Sequence, residues 1–342
     1  MHNQQATSVK DDISQPLVSI VTPSYNQAEF LEDTIKSVLA QDYPSIEYLI
    51  IDGGSTDSSI DIINKYSSEL AWWVSEPDKG QASAINKGMS RAKGKIVAWL
   101  NSDDIYLPGA VSEAVQLFQS NPQAGLVFGN AVTIDADGRP IKELVFPDWN
   151  FEDLIGFRII CQPAVFMRGS LFKQVAGLDL NLHFMLDHHL WIRIANLAPI
   201  KHASSMWAAA RHHEAAKNVT QSAAFGRETL EVLEWMQSQP ELAQIVARNK
   251  RQVFAGAYRL NARYLLDDGF YGPALRSYAK AFVNQPVYTA RHWHRILYAL
   301  LGIIGLRNLD NLYFKYQDAN RPDLSNRPSL EGWPGLCLEL NE

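Results

Sequence analysis

The sequence predicts an α/β protein in which a mostly parallel central sheet covered by helices is followed by a helical C-terminal region. Two observations predict it. Over the first 130 residues, short runs rich in Val and Ile alternate with apolar residues at helical spacing, the pattern of strands buried on both faces and joined by crossover helices. After about residue 222 the strand pattern stops, and apolar spacings of three and four continue alone.

The expected strands are Leu17–Thr22, Ile46–Asp52, Ala71–Ser75, Ile96–Asn101 and Gly125–Val132. Between them, Leu31, Ile35 and Val38, then Ile85 and Met89, then Val111, Val115 and Phe118 mark helices with one apolar face. Pro108 suits the first residue of the last of these. From about 140 to 220 the pattern is less regular and few long strands are expected. Farther on, Val246, Val253, Ala257, Leu260 and Tyr264 form one helical stripe, and Ala274, Tyr278 and Phe282 another. The expected organisation is a flexible arm over 1–15, a sheet domain over 16–222, a helical domain over 223–320 and an extended tail over 321–342.

With 342 residues the chain is long enough for about two domains. Its net charge of -6 and pI near 5.9 argue against a nucleic-acid binder, which usually carries a basic face. Two cysteines, Cys161 and Cys337, make neither a disulfide framework nor a metal motif, so a reducing compartment is expected. Residues 1–16 lack the apolar core of a secretory signal, and the run Ile296 to Leu306 is about half of a membrane span. A cytoplasmic protein follows, with peripheral contact to the inner face of the cell membrane through residues 287–316, where Arg291, Arg295, Arg307 and Lys315 mix with Trp293, Tyr298 and Tyr313. The same stretch equally suits packing on the rest of the chain or a homodimer.

In doubly wound sheets ligands sit at the carboxyl ends of the strands, and the polar loops fall there. Strand one runs into Thr22-Pro23-Ser24-Tyr25-Asn26, strand two into Asp52-Gly53-Gly54-Ser55-Thr56-Asp57, and strand four into Asn101-Ser102-Asp103-Asp104. Two adjacent carboxylates would repel a nucleotide diphosphate unless a hard divalent cation, Mn²⁺ or Mg²⁺, lay between. An isolated Asp-Asp pair also suits the start of a helix, where acidic side chains oppose the dipole. Asp52 can accept hydrogen bonds from a base or ribose, and Asp57 suits an Asx turn capping the next helix. Neither GxGxxG nor GxxxxGK[ST] follows strand one, which disfavours dinucleotide and P-loop readings. Five histidines gather between 183 and 213 (His183, His188, His189, His212, His213), without a helical spacing that would hold zinc.

Residues 17–193 resemble the inverting family 2 glycosyltransferases of GT-A fold. The ordered segments VSIVTPSYNQAEFLEDTIKSVLAQDYP, YLIIDGGSTDSS, SEPDKGQASAINKG, IVAWLNSDD, CQPAVFMR and LDHHLWIR carry the resemblance. Each alone is weak, and all in order over half the chain are specific. The resemblance implies a nucleotide diphosphate sugar donor, held by Thr22, Pro23, Ser24, Tyr25, Asp52, Ser55, Asp78, Lys79, Asp103 and Arg211. It implies Asp103, Asp104 and His213 around the metal, and a saccharide or lipid-linked saccharide acceptor of surface-polysaccharide assembly. Asn101 departs from the family pattern, which has Asp there, and leaves open which of Asp103 and Asp104 is the direct ligand. In LDHHLWIR the family places an acidic general base, and Asp187 fits it. Asp187 also suits a helix cap for Leu190, Trp191 and Ile194. The alternatives are a nucleotidyltransferase making a sugar nucleotide, or a catalytically degenerate nucleotide- or glycan-binding module.

Overall fold

The structure, a computed structural model, describes residues 15–213 and 221–305. The expected arm (apart from residue 15), the tail, Cys337, residues 214–220 and residues 306–320 of the expected helical domain lie outside the described residues. Nine strands form one sheet: β1 (Val18–Ser24), β2 (Ile46–Asp52), β3 (Trp72–Ser75), β4 (Ile96–Trp99), β5 (Ile105–Tyr106), β6 (Leu126–Ile134), β7 (Pro140–Leu144), β8 (Val165–Arg168) and β9 (Ile200–Arg211). Their order is β3-β2-β1-β4-β8-β6-β9-β5, with β7 beside β6. From β3 to β4 every pairing is parallel. Beyond β4 the sheet is mixed: β8 runs antiparallel to β4 and β6, while β6 and β9 are parallel.

The helices of this region are α1 (Ala28–Leu39), α2 (Ser59–Lys65), α3 (Gln81–Arg91), α4 (Ala110–Ser120), α5 (Phe151–Ile155), α6 (Gly169–Gln174) and α7 (Leu186–Ala195). The apolar faces of α1, α3 and α4 are buried as their spacing requires: Leu31, Ile35 and Val38, Ile85 and Met89, and Val111, Val115 and Phe118. Helix α4 starts at Ala110 behind Gly109, a left-handed residue (φ 77°), so Pro108 lies in the preceding turn and does not open the helix. Asp57 caps more than its own helix. Its Oδ1 accepts from the Ser59 amide at 2.9 Å, and its Oδ2 accepts from the Ala28 amide at 3.0 Å, so one carboxylate joins the starts of α2 and α1.

Six helices complete the described chain: α8 (Ser222–Ser238), α9 (Pro240–Arg248), α10 (Lys250–Asp267), α11 (Tyr271–Asn284), α12 (Pro286–Ala290) and α13 (Trp293–Ile303). Architecture changes near residue 222, but the core does not break there. Val232, Leu233, Met236, Leu242, Val246, Val253, Ala257 and Leu260 belong to the same apolar cluster as Val97, Trp99, Leu154 and Trp191. Helix α10 passes so close to the end of α5 that a Cβ on Gly256 would lie 2.0 Å from the Gly156 carbonyl oxygen. In the last expected stripe Ala274 and Tyr278 are buried, whereas Phe282 faces outward.

Candidate active site

The three polar loops converge at the carboxyl ends of β1, β2 and β4. Gly53 shows how closely: a Cβ there would stand 3.1 Å from Asp78 Oδ2 and 3.3 Å from the Tyr25 ring. A side chain at 53 would crowd both neighbours, so glycine eases the approach of the loops after β1, β2 and β3. The Asp52 carboxylate is fully buried and holds its own loop. Its Oδ2 accepts from the Gly54 and Ser55 amides (3.0 and 2.8 Å) and from Ser75 Oγ (2.7 Å), and its Oδ1 accepts from Ser55 Oγ. Thr22 is also turned inward, with its hydroxyl 3.0 Å from Tyr48 Oη. Pro23 and Ser24 are buried at the end of β1, and the Ser24 hydroxyl is without a hydrogen-bond partner. Tyr25 and Lys79 are exposed, and half-buried Asp78 accepts from the Gly80 amide. Of the expected donor residues on these loops, Tyr25, Asp78 and Lys79 thus reach the surface, and Thr22, Asp52 and Ser55 are buried beneath it.

After β4 the two neighbouring aspartates divide their tasks. Asp104 is buried: its Oδ1 accepts from the Arg211 amide at 3.0 Å and its Oδ2 from Asn101 Nδ2 at 3.2 Å. Burial, and then the charge of Asp103, hold its carboxyl well above the usual carboxylate range. Asp103 points the other way, and its Oδ2 lies 3.1 Å from His213 Nε2. That pair offers one oxygen and one nitrogen ligand at the loop edge. Their separation suits two adjacent ligands of one cation with bonds of about 2.1 Å, which lie about 3 Å apart. Mn²⁺ accepts both donor types. The donor set thus fits a divalent cation through Asp103 and His213, whereas both Asp104 oxygens are already engaged with the Arg211 and Asn101 amides.

Arg211 differs from its expected role as a phosphate ligand. Its side chain is 2% exposed, and its guanidinium donates to the carbonyls of Asp103 (3.0 Å), Ala136 (2.7 Å) and Asp135, and to Asp33 Oδ2 (3.3 Å). It also stacks on Phe30, 4.9 Å from the ring centroid. With these acceptors engaged and no room for solvent, the group clamps the Asp103–Asp104 turn to the end of β9.

Asn101 shows why an amide suits this site. Its Nδ2 donates to Asp104 Oδ2 and to Gln162 Oε1 (3.1 Å), while its Oδ1 accepts from Gln81 Nε2 (2.7 Å). A carboxylate at 101 would face two acceptors with no proton to offer. Gln162 also donates to the Trp99 carbonyl at 2.9 Å. Gln81 and Gln162 were not singled out as site residues, although both stand inside the quoted segments SEPDKGQASAINKG and CQPAVFMR.

Asp187 lies in the first turn of α7. Trp191, one turn on, stacks on Trp99 with ring centroids 5.1 Å apart, so α7 is fixed against the strand that carries the Asp103–Asp104 turn. Cys161 lies between the two regions, and its thiol is pushed up by burial and then by the charges of Asp104 and Asp187. The half-buried Asp187 carboxylate accepts from the His188 amide at 2.6 Å. Burial, opposed by backbone hydrogen bonds, raises its pKa to about 6. The five histidines do not assemble: His188 Nε2 meets the Leu154 carbonyl at 3.0 Å, His189 packs edge-on against Trp235, and only His213 reaches a carboxylate of the donor edge. Among the described residues no group of three or more His, Cys, Asp and Glu side chains converges as a ready metal site.

Residues 19–189 match the family described as Glycosyl transferase family 2. The chain belongs to this family. An uncharacterized glycosyltransferase of Mycobacterium tuberculosis is 32% identical over 188 residues, covering 53% of this chain and 70% of its own length. A Bacillus subtilis protein, TuaG, whose name assigns it to teichuronic acid biosynthesis, is 34% identical over 134 residues, 38% of this chain and 53% of its own. The glycosyltransferase thus matches about half the length of TuaG. Among solved structures, Staphylococcus aureus TarS 1–349 in complex with UDP-GlcNAc superposes with a TM-score of 0.59 at 17% identity, covering 84% of this chain and 90% of that one. The mannosyltransferase PcManGT of Pyrobaculum calidifontis, in complex with GDP-Man and Mn²⁺, gives 0.56 at 17% identity, covering 86% and 87%. These likenesses show the GT-A fold, and the family sets the nucleotidyltransferase alternative aside.

The environment of Asp187 has a cost in stability. Its folded pKa lies above the unfolded value, so ionisation at neutral pH opposes folding; the penalty is complete above pH about 6 and absent below about 3.8. Asp187→Asn removes the charge and keeps an acceptor for the His188 amide. It is expected to raise stability at pH 7.5 by on the order of 1–2 kcal/mol, discounted for the partly exposed carboxylate, and to leave it unchanged at pH 4. Denaturant titrations at the two pH values measure this, and an equal shift at both would exclude the ionisation penalty as its source.

Proposed function

We propose that this glycosyltransferase moves a sugar, with inversion, from a nucleotide diphosphate sugar to a hydroxyl acceptor, and depends on a divalent cation. The observation that carries the reading is the half-buried Asp187 carboxyl in the first turn of α7, a helix that the Trp99–Trp191 stack fixes against the strand leading to Asp103, with burial raising its pKa to about 6. A base works best when its pKa approaches the working pH. In this mechanism the acceptor hydroxyl gives its proton to Asp187. Its oxygen forms a bond to the anomeric carbon as the bond from that carbon to the diphosphate oxygen breaks on the opposite face, and the nucleoside diphosphate departs. Asp103 and His213 would hold the divalent cation, Mn²⁺ or Mg²⁺, which would supply positive charge against the departing diphosphate. Tyr25 and the Asp52 loop receive the nucleoside, and Asp78 and Lys79 flank the donor. The likeness to proteins named for UDP-GlcNAc, GDP-Man and teichuronic acid biosynthesis supports a nucleotide-sugar donor and a polysaccharide product.

A lipid-linked acceptor accords with the far C-terminal helices. No described helix is long and apolar enough to cross a membrane. Helix α13, however, exposes Trp293, Leu297, Leu300 and Ile303. From residue 269 to 305 the chain carries Arg276, Lys280, Arg291 and Arg295 and no acidic residue, although its net charge is -6. Such a surface suits an anionic bilayer interface. The sheet region is proposed to carry the chemistry and the helices after 222 to bring it to the acceptor.

Three outcomes test this function. Calorimetry is expected to detect nucleoside diphosphate binding with Mn²⁺, and to lose it with EDTA or in Asp103→Asn; equal affinity in EDTA would remove the metal from the account. Asp187→Asn is expected to lower kcat by roughly a hundred- to ten-thousand-fold with donor affinity nearly unchanged, and a kcat within about threefold of wild type would send the search to Asp179 or Glu214. In flotation assays, full-length protein should bind phosphatidylglycerol vesicles at low salt and lose binding in Leu297→Ser/Leu300→Ser. Binding to phosphatidylcholine vesicles alike, or self-association through this face, would refute the electrostatic contact.

A further inference from the structure

Just ahead of α7 the chain makes a turn over residues 181–185 whose three last amides point at one side chain. Glu228, on α8 and 4% exposed, accepts the His183 amide at both carboxylate oxygens (2.9 and 3.1 Å), and the Phe184 and Met185 amides at Oε2 (2.8 and 2.9 Å). Met185 is the residue before the helix, and its carbonyl accepts the first helical bond, from His189. Met185 itself makes no side-chain capping bond, and within the first turn Asp187 takes the His188 amide. The positive end of the helix is also met by a carboxylate from an element some forty residues away in sequence, with Phe225 of α8 against Phe184 at 4.8 Å. Asp187 stands two residues beyond Met185.

We infer that Glu228 is a positioning residue for the catalytic base: its carboxylate fixes the 183–185 turn, and through it the place and orientation of Asp187 at the start of α7. The inference rests on the reading of Asp187 as that base. A buried carboxylate spent on three consecutive amides makes those amides unable to turn toward solvent or acceptor. It also places a second negative charge near Asp187, and that charge acts in the same direction as burial on the Asp187 carboxyl. The other titratable groups about Asp187 are Tyr264 of α10 and Cys161 before β8, both of which respond to its charge. His188 on its own helix is held by the Leu154 carbonyl, and His183 lies in the turn itself. The nearest cation of α7, Arg193, is two turns away and interacts with His189 and Asp179. Glu228 is thus the acidic group that the helical region contributes to the acceptor side.

The test compares Glu228→Gln, Glu228→Asp and Asp187→Asn in the full chain, with donor affinity, kcat, KM and the pH profile of kcat measured for each. Glu228→Gln keeps the shape, loses the charge and presents an NH₂ group to amide donors. Its kcat is expected to fall about tenfold or more, since small misplacements of reacting groups cost up to about a hundredfold, while donor affinity stays within about twofold. The acid limb of its profile should move to lower pH by a few tenths. Glu228→Asp, which keeps the charge but not the reach, should lose kcat with the limb in place. A kcat within about twofold of wild type and an unmoved limb in Glu228→Gln overturn the inference, as does a loss of kcat and donor affinity together. If Glu228→Gln does not fold, a wild-type kcat in Glu228→Asp overturns it. Full activity in Asp187→Asn would refute the base itself, whatever Glu228 does.

Discussion

The donor edge depends on one buried contact, the Asp104 carboxylate on the Arg211 amide. That bond draws the turn after β4 to the end of β9, a strand separated from it by more than a hundred residues of chain. Once Asp104 is committed inward, its neighbour Asp103 is left facing the loop edge, and the two residues following Arg211 bring His213 within 3.1 Å of it. The guanidinium of the same arginine then closes the arrangement from behind by holding the Asp103 carbonyl and the 135–136 turn. A buried carboxylate is tolerated only when its acceptor capacity is met, and here the Arg211 amide and the Asn101 amide meet it. Asn101 is therefore part of the same device, because its neutral NH₂ group serves Asp104 and Gln162 at once.

On the acceptor side the organising principle is packing. The Trp99–Trp191 stack joins the end of β4 to α7, and the apolar cluster around it continues without interruption into α8, α9 and α10. Protein interiors transmit displacement because they are close-packed. The helices after residue 222 therefore belong mechanically to the site, although none of their residues lies in the motifs of the catalytic region. This gives the change of architecture near 222 a meaning different from a flexible hinge between independent bodies.

The sequence made the parallel half of the fold legible because periodicity and loop chemistry agreed there. Strand β2 runs Ile46–Asp52, as its apolar run and the Asp-Gly-Gly that follows require, and the three loops at the carboxyl ends do converge. Strand β9 was not legible, since KHASSMWAAAR offers small and polar residues without clean alternation. Its extended form is imposed by pairing between β6 and β5, a tertiary effect that outweighs local preference. The choice between Asp103 and Asp104 was equally hidden. Adjacent identical side chains are equivalent in sequence and become different only when one finds a buried amide. Arg211 misled for the same reason: a guanidinium suits phosphate and carbonyl oxygens alike, and burial at the end of β9 decides between them.

The two halves of the site solve opposite electrostatic problems. If the donor edge receives a polyanion, it does so with one carboxylate outward beside an imidazole and the other withdrawn from the surface, where burial holds its carboxyl well above the usual carboxylate range. On the proposed acceptor side the need is a proton acceptor reactive near neutral pH, and Asp187, half-buried at the start of α7 near Tyr264, takes only the His188 amide among the hydrogen bonds described. Shelter raises the affinity of a carboxylate for a proton and at the same time opposes its ionisation in the folded state. The stability forgone at Asp187 has to be supplied by apolar packing elsewhere, and the Trp99–Trp191 stack and the shared core of α8 to α10 stand directly behind it. On the proposed reading of Asp187, the helical region after the sheet has a part in the chemistry, because its core and its Glu228 carboxylate hold the start of α7 in place.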